Sequence, residues 1–427
     1  MTLSDNEKTE NGGNELRTIS RYLELFIVGT LSVAGAVIFF NAPRDTRAFG
    51  EAGLVALLLW AIYHKRKPVN PIPKFVIVMS VLYILSYVVN FFMSPDPDWE
   101  HVNIRKYIYL IISGFLFAFP LNDKYRRFMI VVFFGSAAIA GAAGILQIFR
   151  WGIIYRAQGF SGNPLHYAGL LGFVCCTAAF LLFARRRNIF ESGRGILFLL
   201  IVTVLTFLGI LFSMSRGVWI AMFVAGITTL FLYNRRIALI SSLCAIVMLS
   251  LTFYFNIYLK DKAASIATSF YTENERGSTG TRMELWKGAL LIFKESPLLG
   301  VGTGNFESHI NELIREGKLK DIPVKMHAHN IFLQALATRG TVGIITTLGL
   351  FIAMIRWGWE EIQNNRGVGG YVIILSTVYT IIAGLTENNI EFTKYLTDYC
   401  FIIGLIGTPW NSRHECFRQC SADELKL

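Results

Sequence analysis

The chain is 427 residues long, 53% hydrophobic and only 16% charged, with a formal net charge of +11. A soluble domain carries about a quarter charged residues, so this composition excludes a soluble globular enzyme. So basic a balance would point a soluble protein towards nucleic acid. Here the Lys and Arg stand beside apolar runs, where they set membrane topology, and no compact basic domain exists to bind a polyanion.

The first twenty residues are polar, with Thr2, Asp5, Glu7, Lys8, Glu10 and Asn11 among them. No secretory signal precedes the first apolar run, and the N-terminal tail, residues 1–22, is expected in the cytoplasm. Apolar runs of spanning length then predict about twelve transmembrane helices. They lie at 23–41, 47–63, 74–93, 106–121, 127–149, 165–184, 195–214, 217–233, 237–259, 341–358, 370–386 and 395–410. The runs are continuous: Ile196 to Phe212 is uncharged and interrupted only by Thr203, Thr206 and Gly209. A barrel strand would alternate over about ten positions. With no water in the bilayer core to pair the backbone, the predicted fold is an all-α polytopic membrane protein.

The clusters His64-Lys65-Arg66-Lys67, Lys124-Tyr125-Arg126-Arg127, Arg185-Arg186-Arg187 and Arg235-Arg236 all fall on one side of the alternation, which is therefore cytoplasmic. An even number of spans returns the C-terminal tail, 411–427, to that side. The domain plan is spans one to nine at 23–259, a large periplasmic loop at 260–328, and spans ten to twelve at 329–410. Cys175, Cys176, Cys244 and Cys400 fall within predicted spans, and Cys416 and Cys420 have no second ligand pair nearby. Neither a disulfide framework nor a cysteine metal site is expected.

A connection as long as the large loop is usually functional. Within it, Gly280-Thr281-Arg282 is expected to open a helix with Thr281 as cap. Met283 to Lys294 continues with Leu285, Trp286, Leu290 and Phe293 at helical spacing. The run Ser296-Pro297-Leu298-Leu299-Gly300-Val301-Gly302-Thr303-Gly304-Asn305 then makes a bare, tight turn that a ligand or another helix can approach closely.

Three arginines stand on the predicted periplasmic face, where the orientation rule disfavours them: Arg156, Arg216 at the end of the seventh span, and Arg282. Guanidinium binds phosphate oxygens bidentately, so together they suit a lipid-linked diphosphate; singly, each would serve to anchor at the headgroups. His327-Ala328-His329-Asn330 places two histidines near the membrane surface, where a neutral imidazole can take a proton from a hydroxyl. Capping of the following helix is the structural alternative. Two histidines without a clear third partner do not make a metal site, so no metal is expected. Glu387, Glu391 and Asp398 follow on the same face; a carboxylate there can orient a histidine or pair with arginine, although solvated loop charges are the commoner case. No nucleotide or Asp-rich metal motif is visible, so no cofactor is expected and the substrate itself must carry the energy.

These residues have a counterpart. The loop helix with Arg282 and Trp286, the turn Ser296 to Gly302, and His329-Asn330 followed by Leu333-Gln334 and Gly340-Thr341-Val342-Gly343 resemble the O-antigen ligase and O-antigen polymerase superfamily. Ser215-Arg216-Gly217 looks like that superfamily's arginine at the end of a span. The resemblance is carried by residues 150–345. It implies a membrane-embedded glycosyltransferase of the C type (GT-C) in the bacterial inner membrane, with both termini cytoplasmic and its site facing the periplasm. The implied donor is a polysaccharide on undecaprenyl diphosphate. The acceptor is a sugar hydroxyl of lipid A-core for a ligase, or another lipid-linked repeat unit for a polymerase. Carried over residue by residue, Arg216 and Arg282 would hold the diphosphate, with Arg156 in a segment that looks like the family's. His329 would activate the acceptor with inversion, without metal or nucleotide; His327 is the alternative base, and Asn330 and Glu387 are supporting candidates. A transporter is the rival class, but no internal repeat is evident and the ionisable residues gather at span ends.

Overall fold

The computed structural model describes residues 21–408 apart from 41–42, 64–67, 94–106, 120, 153–154, 185–189, 244–277, 324 and 365. In chain order the helices are α1 (Arg21–Phe40), α2 (Pro43–Tyr63), α3 (Lys74–Met93), α4 (Ile108–Ala118), α5 (Asp123–Trp151), α6 (Pro164–Phe183), α7 (Gly193–Ser213) and α8 (Arg216–Tyr233), then α9 (Ser278–Glu295), α10 (Phe306–Arg315), α11 (Ile331–Gln363), α12 (Gly369–Gly384) and α13 (Thr393–Ile402). No strand occurs among the described residues. Seven of these helices, α1, α3, α5 to α8 and α11, are long and apolar enough to cross a membrane. The protein is a multi-pass membrane protein, and its regular structure is helical throughout the described residues. The two tails, the predicted ninth span beyond residue 243, Cys244, Cys416, Cys420 and the clusters His64 to Lys67 and Arg185 to Arg187 lie outside the described residues.

Most predicted spans coincide with a helix to within a few residues; two places differ for identifiable reasons. The tenth is expected from residue 341, yet α11 begins at Ile331. Asn330 caps it, its Oδ1 accepting from the amides of Phe332 and Leu333 at 2.9 and 3.1 Å. Gly340, at φ +62°, bends the helix without ending it. The loop helix α9 starts at Ser278, so Thr281 is not its cap but lies inside it, buried. The buried stripe of α9 is Thr281, Leu285, Gly288, Ala289 and Ile292, whereas Leu290 is exposed.

In lipid, helices associate through close van der Waals contact and interhelical hydrogen bonds, not through apolar burial alone. Small residues bring this about. Gly141 of α5 lies so near α7 that a Cβ would sit 2.6 Å from the Leu205 carbonyl oxygen. Gly169 and Gly172 of α6 leave room for the hydroxyls of Tyr395 and Tyr379, and the latter donates to the Gly169 carbonyl at 2.8 Å. At the opposite end of the bundle Arg126 does more than set topology. It is buried and donates to the carbonyls of Leu405 and Thr408 at 2.8 and 2.9 Å, in and just after the π-helical turn Ile403–Gly407 that follows α13.

The loop builds a second, smaller core from Leu285, Ala289 and Ile292 of α9, Phe306, Ile310 and Leu313 of α10, and Leu319, Ile322, Ala328 and Ala337. The turn after α9 is occupied by a helix, not left open to a ligand. Val301 and Gly302 donate to the carbonyls of Ala337 and Thr338, and Thr341 donates back to Pro297 at 2.8 Å. Gly300 and Gly340 allow this contact, since a Cβ on either would meet the other segment's backbone within 2.5 Å. Asn90 of α3 closes the join, donating to the Leu299 carbonyl at 2.6 Å and accepting from the Thr303 amide at 2.7 Å. The loop is thereby fixed over the end of the bundle that carries the candidate residues.

Candidate functional site

Four connections meet at this end of the bundle. Between α7 and α8, Met214 adopts φ +54°, one of only two non-glycine residues with positive φ among those described. That reversal lets α8 start at once, with Arg216 as its first residue. Arg156, from the α5–α6 connection, is stapled to this turn. Its Nε donates to the Ser213 carbonyl at 2.8 Å and Nη2 to Ser215 Oγ at 3.2 Å. Arg282 arrives from the first turns of α9. Arg156, Ser215, Arg216, Arg282, Thr386, Glu387 and Tyr395 are among the residues that line a cavity of about 150 Å³.

The cavity is strongly cationic. Arg216 and Arg282 make no hydrogen bond or ion pair with a described residue. Arg156 is pushed below the ordinary guanidinium range by burial and then by Arg216 and Arg282. For Arg282, burial and the nearness of Arg216 win over the attraction of Glu387, and the net direction is again downward. Guanidinium stays charged regardless, so the three repel one another until an anion joins them.

Behind Glu387, and not themselves among the residues that line the cavity, stand the two histidines. The other positive-φ residue is His329, at φ +48°. Non-glycine residues in this region cost of order 1–3 kcal/mol and persist only where the surroundings over-determine them. Here Asn330 caps α11 and donates to the Leu385 carbonyl at 3.2 Å. The Ala328 amide donates to Gln334 Oε1 at 2.8 Å, and Trp286 Nε1 donates to the Ala328 carbonyl at 3.1 Å. Asn330, not a histidine, caps α11, and both histidines are hydrogen-bonded to Glu387.

Glu387 is 8% exposed, not a solvated loop charge. Its Oε1 receives His327 Nε2 at 2.8 Å and His329 Nδ1 at 3.1 Å, together with the Asn388 amide at 3.1 Å. Burial alone would raise its pKa, but the hydrogen bonds from His327 and His329 win and hold it well below the usual carboxylate range. With both facing nitrogens donating, the neutral tautomer of His329 assigned from this network carries its lone pair on Nε2.

Glu391 is also engaged, accepting from the Tyr87 hydroxyl at 2.7 Å and from Asn388 Nδ2 at 2.8 Å. Asp398 differs from expectation most. It is fully buried within α13, not with the loop-end carboxylates, and both its oxygens are without a hydrogen-bond partner. His166, in the first turn of α6, is a polar neighbour the sequence did not single out; its ring lies 4.6 Å from that of Phe392, which His327 also meets edge-on. The one signal for it was its place beside the Asn163-Pro164 helix start.

The sequence offers two metal ligands here; the fold supplies a third. Ligand atoms of His327, His329 and Glu387 lie within 4.8 Å of one another and could hold a metal ion. Their direct hydrogen bonds use the same atoms, so the triad is also complete as a hydrogen-bonded unit. The arrangement can bind a dianionic or larger phosphate group on one side and accept a proton on the other, with Glu387 facing both.

Two comparisons bear on this site. Residues 201–348 match the family model described as O-Antigen ligase. That stretch contains Arg216, Arg282, His327 and His329, but not Arg156 or Glu387. An uncharacterized protein of Haemophilus influenzae is 23% identical over 403 residues, covering 89% of this chain and 99% of its own.

Proposed function

From the match of residues 201–348 to the O-antigen ligase family model, we propose that the protein is an O-antigen ligase of the membrane glycosyltransferase kind. It transfers polysaccharide from undecaprenyl diphosphate to a sugar hydroxyl of lipid A-core, on the periplasmic face of the bacterial inner membrane, with both termini cytoplasmic. The observation that carries this reading is that Glu387, which lines the cavity of the three arginines, is also the carboxylate that receives both histidines.

In this reading Arg216 and Arg282, with Arg156 stapled behind them, receive the diphosphate. Its negative charge grows as the bond from the anomeric carbon to phosphate oxygen breaks, and preorganised guanidinium groups stabilise the transition state more than the ground state. His329 Nε2 takes the proton of the acceptor hydroxyl as its oxygen bonds to that carbon from the opposite face, inverting it. Glu387 stabilises the imidazolium so formed. General-base help of this kind is worth about 10²- to 10⁴-fold.

The test is reconstitution of purified protein with lipid-linked polysaccharide and rough lipid A-core, without nucleotide, with and without chelator. Ladder-bearing lipopolysaccharide in both buffers supports the ligase. Chain growth only when lipid-linked repeat units serve as acceptor makes it a polymerase. Loss of product with chelator, restored by zinc, gives the triad to a metal instead.

A further inference from the structure

A buried cation sits ten residues beyond His329 and belongs to none of the groups above. Arg339, on the residue before the bend in α11, is 2% exposed. Its Nη1 donates to Ser86 Oγ at 2.9 Å and its Nη2 to Thr347 Oγ1 at 3.2 Å, so its hydrogen bonds go to hydroxyls and not to a carboxylate. Its guanidinium carbon lies over Tyr87, 3.7 Å from the ring centroid. Burying a charge at such a site is costly, and an apolar residue of similar volume would fill the space more cheaply. The contacts beyond Arg339 show where its effect goes. Tyr87 donates its hydroxyl to Glu391 Oε1 at 2.7 Å, and Glu391 Oε2 receives Asn388 Nδ2 at 2.8 Å. The Asn388 amide donates to Glu387 Oε1 at 3.1 Å, the same oxygen that receives His327 and His329.

We infer that Arg339 is a positioning residue: through Tyr87, Glu391 and Asn388 it fixes the Glu387 carboxylate that orients the histidine pair. This rests on His329 acting as the base. Each link is held at more than one atom. Tyr87 is clamped by its face and its hydroxyl, Glu391 by both carboxylate oxygens, and Asn388 by side chain and backbone. Movement at one end of the chain of contacts therefore displaces the other.

The experiment uses the full-length protein in lipid, with Tyr87→Phe, Arg339→Lys and Arg339→Met. Tyr87→Phe keeps the ring under the guanidinium and removes the hydroxyl that reaches Glu391 at 2.7 Å and Tyr83 at 3.3 Å. Its kcat is expected to fall roughly three- to thirtyfold, the range of coupling through such networks, with KM for the donor unchanged. Arg339→Lys is expected to fall between wild type and Arg339→Met. An independent readout is the rate at which diethyl pyrocarbonate modifies His327 and His329, followed by peptide mass spectrometry; it is expected to rise severalfold in Tyr87→Phe. An unchanged kcat, a KM that rises in step with the loss, or an unchanged modification rate overturns the inference. If wild type transfers no sugar at all, the functional reading fails on its own, while the modification rates still decide whether the relay exists.

Discussion

At the scale of single residues, the site depends on where one carboxylate is aimed. Glu387 receives both histidines, and replacing it with Gln leaves a donor amide facing one of two N–H groups. Turnover of Glu387→Gln is expected to drop by about 10²-fold or more, with donor binding retained, as measured by single-turnover transfer. His329→Ala is expected to lose transfer while remaining in the membrane, whereas His327→Ala keeps a residue of activity because His329 still reaches Glu387. The depressed pKa of Glu387 also sets a pH window. A carboxylate lowered in the fold contributes stability that is fully present above its ordinary value of 4.5 and is lost as pH falls below that value. The difference in melting temperature between wild type and Glu387→Gln should therefore narrow on acidification below pH 4.5; a constant difference would mean that the carboxylate is not ionised in its buried pair.

At the scale of elements, the bend in α11 is what seats the loop on the bundle. Gly340 combines φ +62° with a Cβ position 2.5 Å from the Leu298 carbonyl, while Gly317 has φ +72° and nothing within 4 Å. Gly317→Ala is expected to cost only conformational strain, about 1 kcal/mol, and Gly340→Ala to cost several times that by displacing the turn from α11. Thermal unfolding of the two variants in detergent checks the contrast, and equal losses would remove the seating role. The helix α9 was legible in sequence, but it already includes Ser278, three residues before the expected cap Thr281. Its buried face was only partly read, because Leu290 faces outward while small Gly288 and Ala289 face the loop core.

At the scale of the whole molecule, the spans were readable because lipid demands continuous apolar helices, and 74–93 coincides with α3 to the residue. The site was readable as a set of residue types and unreadable as a geometry. Arg156 and Arg216 were legible as cations near span ends and Arg282 as one at the start of the loop helix, and the fold brings them to one cavity. Glu387 was weighed as a solvated charge because its pairing with His327 and His329 spans about 60 residues, which no local pattern reports. The buried Asp398 and Arg339 contradict local hydropathy for the same reason: tertiary partners, or their absence, decide the state of an ionisable group. The proposed orientation makes its own prediction. A cysteine placed at exposed Lys318 should react with a membrane-impermeant maleimide in intact spheroplasts, and one at Lys124 only after lysis; the reverse pattern would invert the topology.

The central proposal is a division of work on the two sides of Glu387, with arginines holding the donor and His329 activating the acceptor. The measurement that tests it most directly is donor affinity and single-turnover rate on the same preparations of wild type, Arg282→Ala and His329→Ala. The account predicts that Arg282→Ala loses donor affinity, while His329→Ala binds the lipid-linked diphosphate as wild type does and transfers nothing. Wild-type turnover by His329→Ala, or undiminished donor affinity in Arg282→Ala, would contradict it.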